Sequence, residues 1–324
     1  MSSDLHPRID LKIVGDWGNA NFSTIAGLIN AHMRWRSEPG STFWIKAGTG
    51  FRDNIEAVAS GEVDVGITTP VGITLEWARH GRHFFEGTPF AGLRSIGWLP
   101  HDDRMIFAVR EDLGIESFDD IRRQRPVLNI ASTTHTPECL ITWVTDLVLR
   151  KHGIEPEDIV RWGGSWMEHD HPRKCLPAAL DGRANAVFHE GIMVPQWHQL
   201  VETVPMRFLE PDPVVMHELE RDYGFKPNAL RQGRLRAPRD IASLDFSGWV
   251  VFVNDTMSED VAYRITSVLV EERAELEGRF RQLPIERSPL TYPIDPHMMW
   301  RDAGAPLHPG AERYYREHGY MTAR

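Results

Sequence analysis

Short apolar runs alternate along this chain with polar turns and stretches of helical period, a pattern that predicts an α/β fold. The run LKIVG (11–15) is followed by the turn DWGNANF and a helix from about Ser23, whose hydroxyl suits the free N–H groups of a first turn. A second unit starts with VLNIA (127–131) and passes through STTHTP, where Pro137 suits the first helical position and Thr136 the cap. Leu140, Trp143, Val144, Leu147 and Val148 then follow the i, i+3, i+4, i+7, i+8 spacing of a helix with one buried face. Another element occurs twice, as SGEVDVGITT (60–69) and DGRANAVFHEG (181–191). In each a glycine, Gly61 or Gly182, stops a helix and a short strand follows. Val63, Val65 and Ile67 alternate in the first, and Ala184, Ala186 and Phe188 in the second. Downstream of a proline-bearing stretch from about 206, GWVVFVND (248–255) predicts a strand and Asp255 or Ser258 a helix cap. The tail predicts irregular turns and a last helix over Ala311–His318.

The repeated strand–turn–helix units predict two similar α/β lobes, and loops leaving the carboxyl ends of such strands are where ligands bind. The length of 324 residues, with 41% hydrophobic and 25% charged, suits two packed lobes and excludes a disordered chain. A net charge of -10 without a basic stripe argues against nucleic acid and anionic membrane surfaces as partners. No run has the ~18 apolar residues of a membrane span. The start, MSSDLHPRIDLKIVGDWG, has neither a basic segment nor an apolar stretch, so the chain as it stands reads as cytoplasmic, or as periplasmic if trimmed. Cys139 and Cys175 have no metal or disulfide spacing and read as small apolar side chains.

Several segments together resemble the TAXI family of solute-binding proteins, the receptor subunits of tripartite ATP-independent periplasmic (TRAP) transporters. They are AGTGFRDNIEAVASGEVDVGI (47–67), the run 93–131 from LRSIGWLPHDDRMIFAVRED to VLNIA, LPAALDGRANAVF (176–188), VVFVNDTMSEDVAYRITSVLVEE (250–272) and PLHPGAERYYREHG (306–319). The resemblance implies a two-lobed, type II periplasmic-binding-protein fold that closes over a small carboxylate, with lobe 1 at 1–100 plus 206–324 and lobe 2 at 101–205. It also implies TRAP membrane subunits as partners if the chain is exported. The departures are specific: DWGNANF stands for a Gly/Ser-rich turn, Phe51-Arg52 for Gly-Ser, and Ser132-Thr133-Thr134-His135-Thr136 for a small turn.

The candidate ligand residues follow from the turns. In lobe 1 they are Trp17, Asn21, Gly48, Thr49, Gly50, Phe51, Arg52, Thr68 and Thr69. The Gly-Thr-Gly backbone at a helix start suits an anion, and Arg52 offers a bidentate contact to a carboxylate or lies in solvent beside a tight turn. In lobe 2 the candidates are Thr133, Thr134, His135 and Thr136, the last open between ligand contact and capping. His189 and Glu190 end a strand; they form either a proton-shuttling pair near neutral pH or an ordinary hydrogen-bonded pair. His169, Asp170 and His171 read as a solvated loop, and His101, Asp102 and Asp103 lie near the crossover. No metal and no cofactor is expected. Of the eleven tryptophans, Trp98, Trp143 and Trp249 read as core, whereas Trp17 suggests an aromatic wall.

Two functions fit. The first is passive binding of a small, possibly ring-bearing carboxylate. The second is a cytoplasmic enzyme on the same fold, such as an aromatic-acid decarboxylase, with His135 or His189 and Glu190 protonating the carbon left by CO₂. That second reading rests on fold-level analogy.

Overall fold

The computed structural model describes residues 8–16, 21–48, 51–169 and 171–321. Its strands are β1 (Asp10–Asp16), β2 (Thr42–Gly48), β3 (Val65–Thr68), β4 (Leu93–Leu99), β5 (Arg104–Arg110), β6 (Asn129–Thr133), β7 (Ser165–His169), β8 (Ala186–His189), β9 (Met206–Leu209), β10 (Pro227–Leu230), β11 (Ile241–Asp245) and β12 (Trp249–Asn254). The chain divides into two compact units, Met1–Asp102 with Ser247–Arg324, and Asp103–Phe246.

The first unit holds a sheet of order β2-β1-β3-β12-β4. β1 runs parallel to β2 and β3, while β12 is antiparallel to β3 and β4. Every residue of β3 is buried, because the strand is central and covered on both faces. The alternation of Val65 and Ile67 therefore belongs to a fully buried strand, not to a half-exposed one. Helix Asn21–Trp35 starts at Asn21, two residues before the expected Ser23, and packs Ile25, Ile29 and Met33 into a core shared with Ile265 and Val268. Ser258 caps helix Glu259–Glu271 by accepting from the Val261 N–H. The last helix is Pro309–Glu317.

The second unit holds a sheet of order β10-β11-β5-β8-β6-β7, with β9 also paired to β5. Residues 206–246, expected with the first lobe, pair here instead: Leu209 of β9 stands opposite Phe107, and Leu244 of β11 opposite Met105. Their prolines do not break the fold, because Pro213 occupies the first turn of helix Pro213–Tyr223, where no N–H is required. The core gathers Ile106, Val187, Trp197, Leu200 and Phe208. Trp249 is buried, whereas Trp98 and Trp143 are only partly so. Trp98 donates its indole N–H to the Arg301 carbonyl, and Trp143 packs edge-on against Tyr223.

The turn after β6 departs from expectation. β6 extends to Thr133, and the helix begins at Leu140 with Cys139 at its cap and no side-chain cap bond. Thr136 is thus not the cap and Pro137 not the first helical residue. The chain folds back first: the Thr136 N–H bonds to the Thr134 carbonyl at 2.9 Å and the Cys139 N–H to the Thr136 carbonyl at 3.1 Å. Among the described residues, no helix is long and apolar enough to cross a membrane.

Candidate functional site

In the first unit the candidate residues lie at or beyond the carboxyl ends of the parallel strands β1, β2 and β3. Gly48 closes β2 and is buried, and Asn21 opens its helix half-buried. Trp17, Thr49 and Gly50, like Asp170, lie outside the described residues; Phe51 begins helix Phe51–Ala59, and its side chain is not among those described. Arg52 does not extend freely. Its Nε donates to Glu56 Oε1 at 2.8 Å, its Nη1 to the Phe84 carbonyl at 2.8 Å, and the guanidinium lies 5.7 Å from the centre of the Phe85 ring. This fastening fixes the group rather than leaving it in solvent. Thr68 is completely buried, and its Oγ1 has no hydrogen-bond partner among the described residues. Thr69 donates its hydroxyl to the Gly248 carbonyl at 2.9 Å, a bond that ties β3 to the start of β12.

The second unit concentrates more chemistry. Ser132 donates to the Phe188 carbonyl at 3.1 Å, and Thr133 Oγ1 lies 3.1 Å from Cys139 Sγ. The Thr134 carbonyl accepts from the Thr142 hydroxyl at 3.3 Å, while Thr136 is exposed. His135 sits between two acids, its Nδ1 2.8 Å from Glu168 Oε1 and its Nε2 3.3 Å from Asp146 Oδ1, with the Trp166 ring edge-on at 4.5 Å. Burial works against its charge, but the carboxylates of Asp146 and Glu168 outweigh burial and raise its pKa. The sequence reading missed both acids. Asp146 had a signal, as a lone acid inside the apolar run LITWVTDLVL; Glu168 reaches His135 only through the pairing of β6 with β7.

At the end of β8, His189 has no exposed surface and Glu190 is buried. His189 Nδ1 is 2.9 Å from the Glu190 carbonyl, and burial lowers the imidazole pKa to about 4. Burial, reinforced by the nearby Asp103 charge and a hydrogen bond to Asp103, raises the Glu190 pKa well above its ordinary value. Burial thus works against the charged form of both side chains, lowering the His189 pKa and raising that of Glu190. Asp103, also completely buried, anchors this corner. Its carboxylate accepts from the backbone N–H groups of Arg104 at 2.7 Å, Gly191 at 3.0 Å and Ile192 at 3.0 Å. The sequence placed Asp103 near a crossover without a role, because two of its partners lie 88 and 89 residues away.

His169 is exposed at the end of β7, and the His171 Nδ1 accepts from the Arg173 N–H at 3.1 Å. Among the described residues, no group of three or more His, Cys, Asp or Glu side chains is placed to hold a metal ion.

Comparison with known proteins places the chain. The model of the NMT1-like family matches residues 24–319. The chain belongs to the NMT1-like family. Solved structures similar to it include one described as a periplasmic transporter, 10% identical, which covers 97% of this chain and 94% of its own with a TM-score of 0.51. Another is a TctC solute-binding protein from Polaromonas, 12% identical, covering 97% of this chain and 99% of its own with a TM-score of 0.50. The fold is thus the two-lobed α/β fold of periplasmic solute-binding proteins. These relatives lend no support to the decarboxylase alternative.

Proposed function

We propose that this chain is a TAXI-type solute-binding protein that takes a small organic carboxylate and hands it, unchanged, to the membrane subunits of a TRAP transporter. The reading is supported by the family, by the fold and by the resemblance of the segments quoted above. The observation that carries it is the buried polar chemistry at the carboxyl ends of strands in both sheets, where this fold class binds ligands. Thr68 on β3, Thr133 on β6 and His189 on β8 are buried polar residues at such ends. Strand interiors of this kind favour apolar side chains unless a polar partner is supplied.

The test is a thermal-shift and calorimetric screen of aliphatic and aromatic carboxylates, with sulfonates as the competing anion class. One-to-one saturable binding of a carboxylate, tighter than that of the matching sulfonate, is the expected result. Preference for the sulfonate would replace the ligand class, and turnover of any acid would replace the function.

A further inference from the structure

His189 supplies more than a polar strand end. Its Nδ1 faces the Glu190 carbonyl oxygen at 2.9 Å. A carbonyl oxygen only accepts, so Nδ1 carries the ring hydrogen and Nε2 is left as a bare acceptor. That Nε2 is buried and has no hydrogen-bond partner among the described residues. Buried polar atoms in folded proteins are nearly always paired, so this acceptor calls for a donor. It stands on a central strand: Ile106 of β5 is opposite His189, and on the other side the register of Ala131 with Val187 brings Thr133 of β6 level with it.

The charged and titratable groups around it already have other engagements. Asp103, at the start of the second unit, holds three backbone N–H groups, and Glu190 makes its side-chain hydrogen bond to Asp103. The Asp103 carboxylate favours positive charge on the His189 ring, and His171 opposes it more weakly. Thr133 lies against Cys139 Sγ. An ammonium donor would have to leave water with Asp103 already satisfied, at a high desolvation cost. A hydroxyl meets no such penalty.

Resting on the solute-binding reading above, we infer that the preferred solute carries a hydroxyl group that donates to Nε2 of His189, so that the ligand is a hydroxy-substituted organic acid and not its unsubstituted parent. A site with a buried acceptor rejects the analogue that lacks the donor, because the acceptor is then left unpaired.

The experiment is calorimetry of the full chain with matched pairs: lactate and propionate, malate and succinate, mandelate and phenylacetate, 4-hydroxybenzoate and benzoate. The expected result is that at least one hydroxy acid binds about tenfold or more tighter than its parent. In His189→Leu that preference shrinks to within about threefold. The ¹⁵N resonance of His189 Nε2 shifts on adding the hydroxy acid and not the parent, a signature that a merely structural histidine lacks. If His189→Leu fails to fold, the wild-type pairs and the resonance decide. Acids that bind with no preference for the hydroxyl, or a preference that survives His189→Leu, overturn this inference and leave the binding function standing. An absence of binding by every acid, or their turnover, overturns both.

Discussion

The neutral His189 makes a quantitative demand on acid stability. An imidazole held at about 4 in the folded chain, against an ordinary 6.5, is protonated far more readily after unfolding. The contribution of the buried neutral ring is therefore fully present above pH 6.5 and is lost as pH falls from 6.5 towards 4. At about 1.4 kcal/mol per pH unit, the loss is roughly 1.4 kcal/mol at pH 5.5 and roughly 3 kcal/mol by pH 4. Because the side chain has no exposed surface, solvent screening does not reduce this figure. His189→Gln keeps a polar side chain at the position but does not titrate in this range. Urea denaturation of both proteins at pH 7, 5.5 and 4 isolates the term as the difference in pH slope, whatever the variant costs at pH 7. Wild type should lose about 3 kcal/mol more than His189→Gln between pH 7 and 4. Equal slopes would refute the argument, and so would an NMR titration of the His189 ring with a midpoint near 6.5.

Other positions answer to the same geometry. Glu190 carries the opposite sign: its raised pKa contributes stability that is present below the ordinary glutamate value and lost as pH rises through the folded one. Glu190→Gln should flatten the decline that sets in as pH rises above 4.5, read in urea denaturation curves. Asp103→Ala leaves the N–H groups of Arg104, Gly191 and Ile192 without their acceptor and should cost about 3–5 kcal/mol, read by the same denaturation. Glu168→Gln removes one of the two acids that charge His135 and should lower its pKa, followed by NMR titration of the ring. In the first unit, Gly304 has φ +80°, and a Cβ there would drive into the Gly72 carbonyl oxygen. Gly304→Ala should therefore destabilise by roughly 3–5 kcal/mol in thermal or chemical melts.

Local rules served the sequence reading well wherever the signal was local. Gly61 and Gly182, with φ of +75° and +79°, end their helices as glycine stops should. Ser258 caps its helix, and the helix from Leu140 buries Leu140, Val144, Leu147 and Val148 of the face that its period announced. The reading weakened wherever a residue answers to a distant partner. The segment 206–246 looked like a proline-rich stretch of the first lobe, yet its strands complete the second sheet through β5. Thr136 and Pro137 offered a plausible helix start that the turn around Thr134 pre-empts. His135 was recognisable as unusual, but its state is set by Asp146 and Glu168, 11 and 33 residues away. From adjacency alone His189 and Glu190 fitted either a shuttle or an ordinary pair; only burial and Asp103 show that the imidazole is shifted down and the carboxyl up.

The most direct test of solute binding without chemistry is calorimetric titration of the whole chain with aliphatic and aromatic carboxylates, followed by chromatography of the same solutions. Saturable one-to-one heats with the acid recovered intact are the predicted result. Consumption of the acid with release of CO₂, or no saturable heat with any acid, would contradict it.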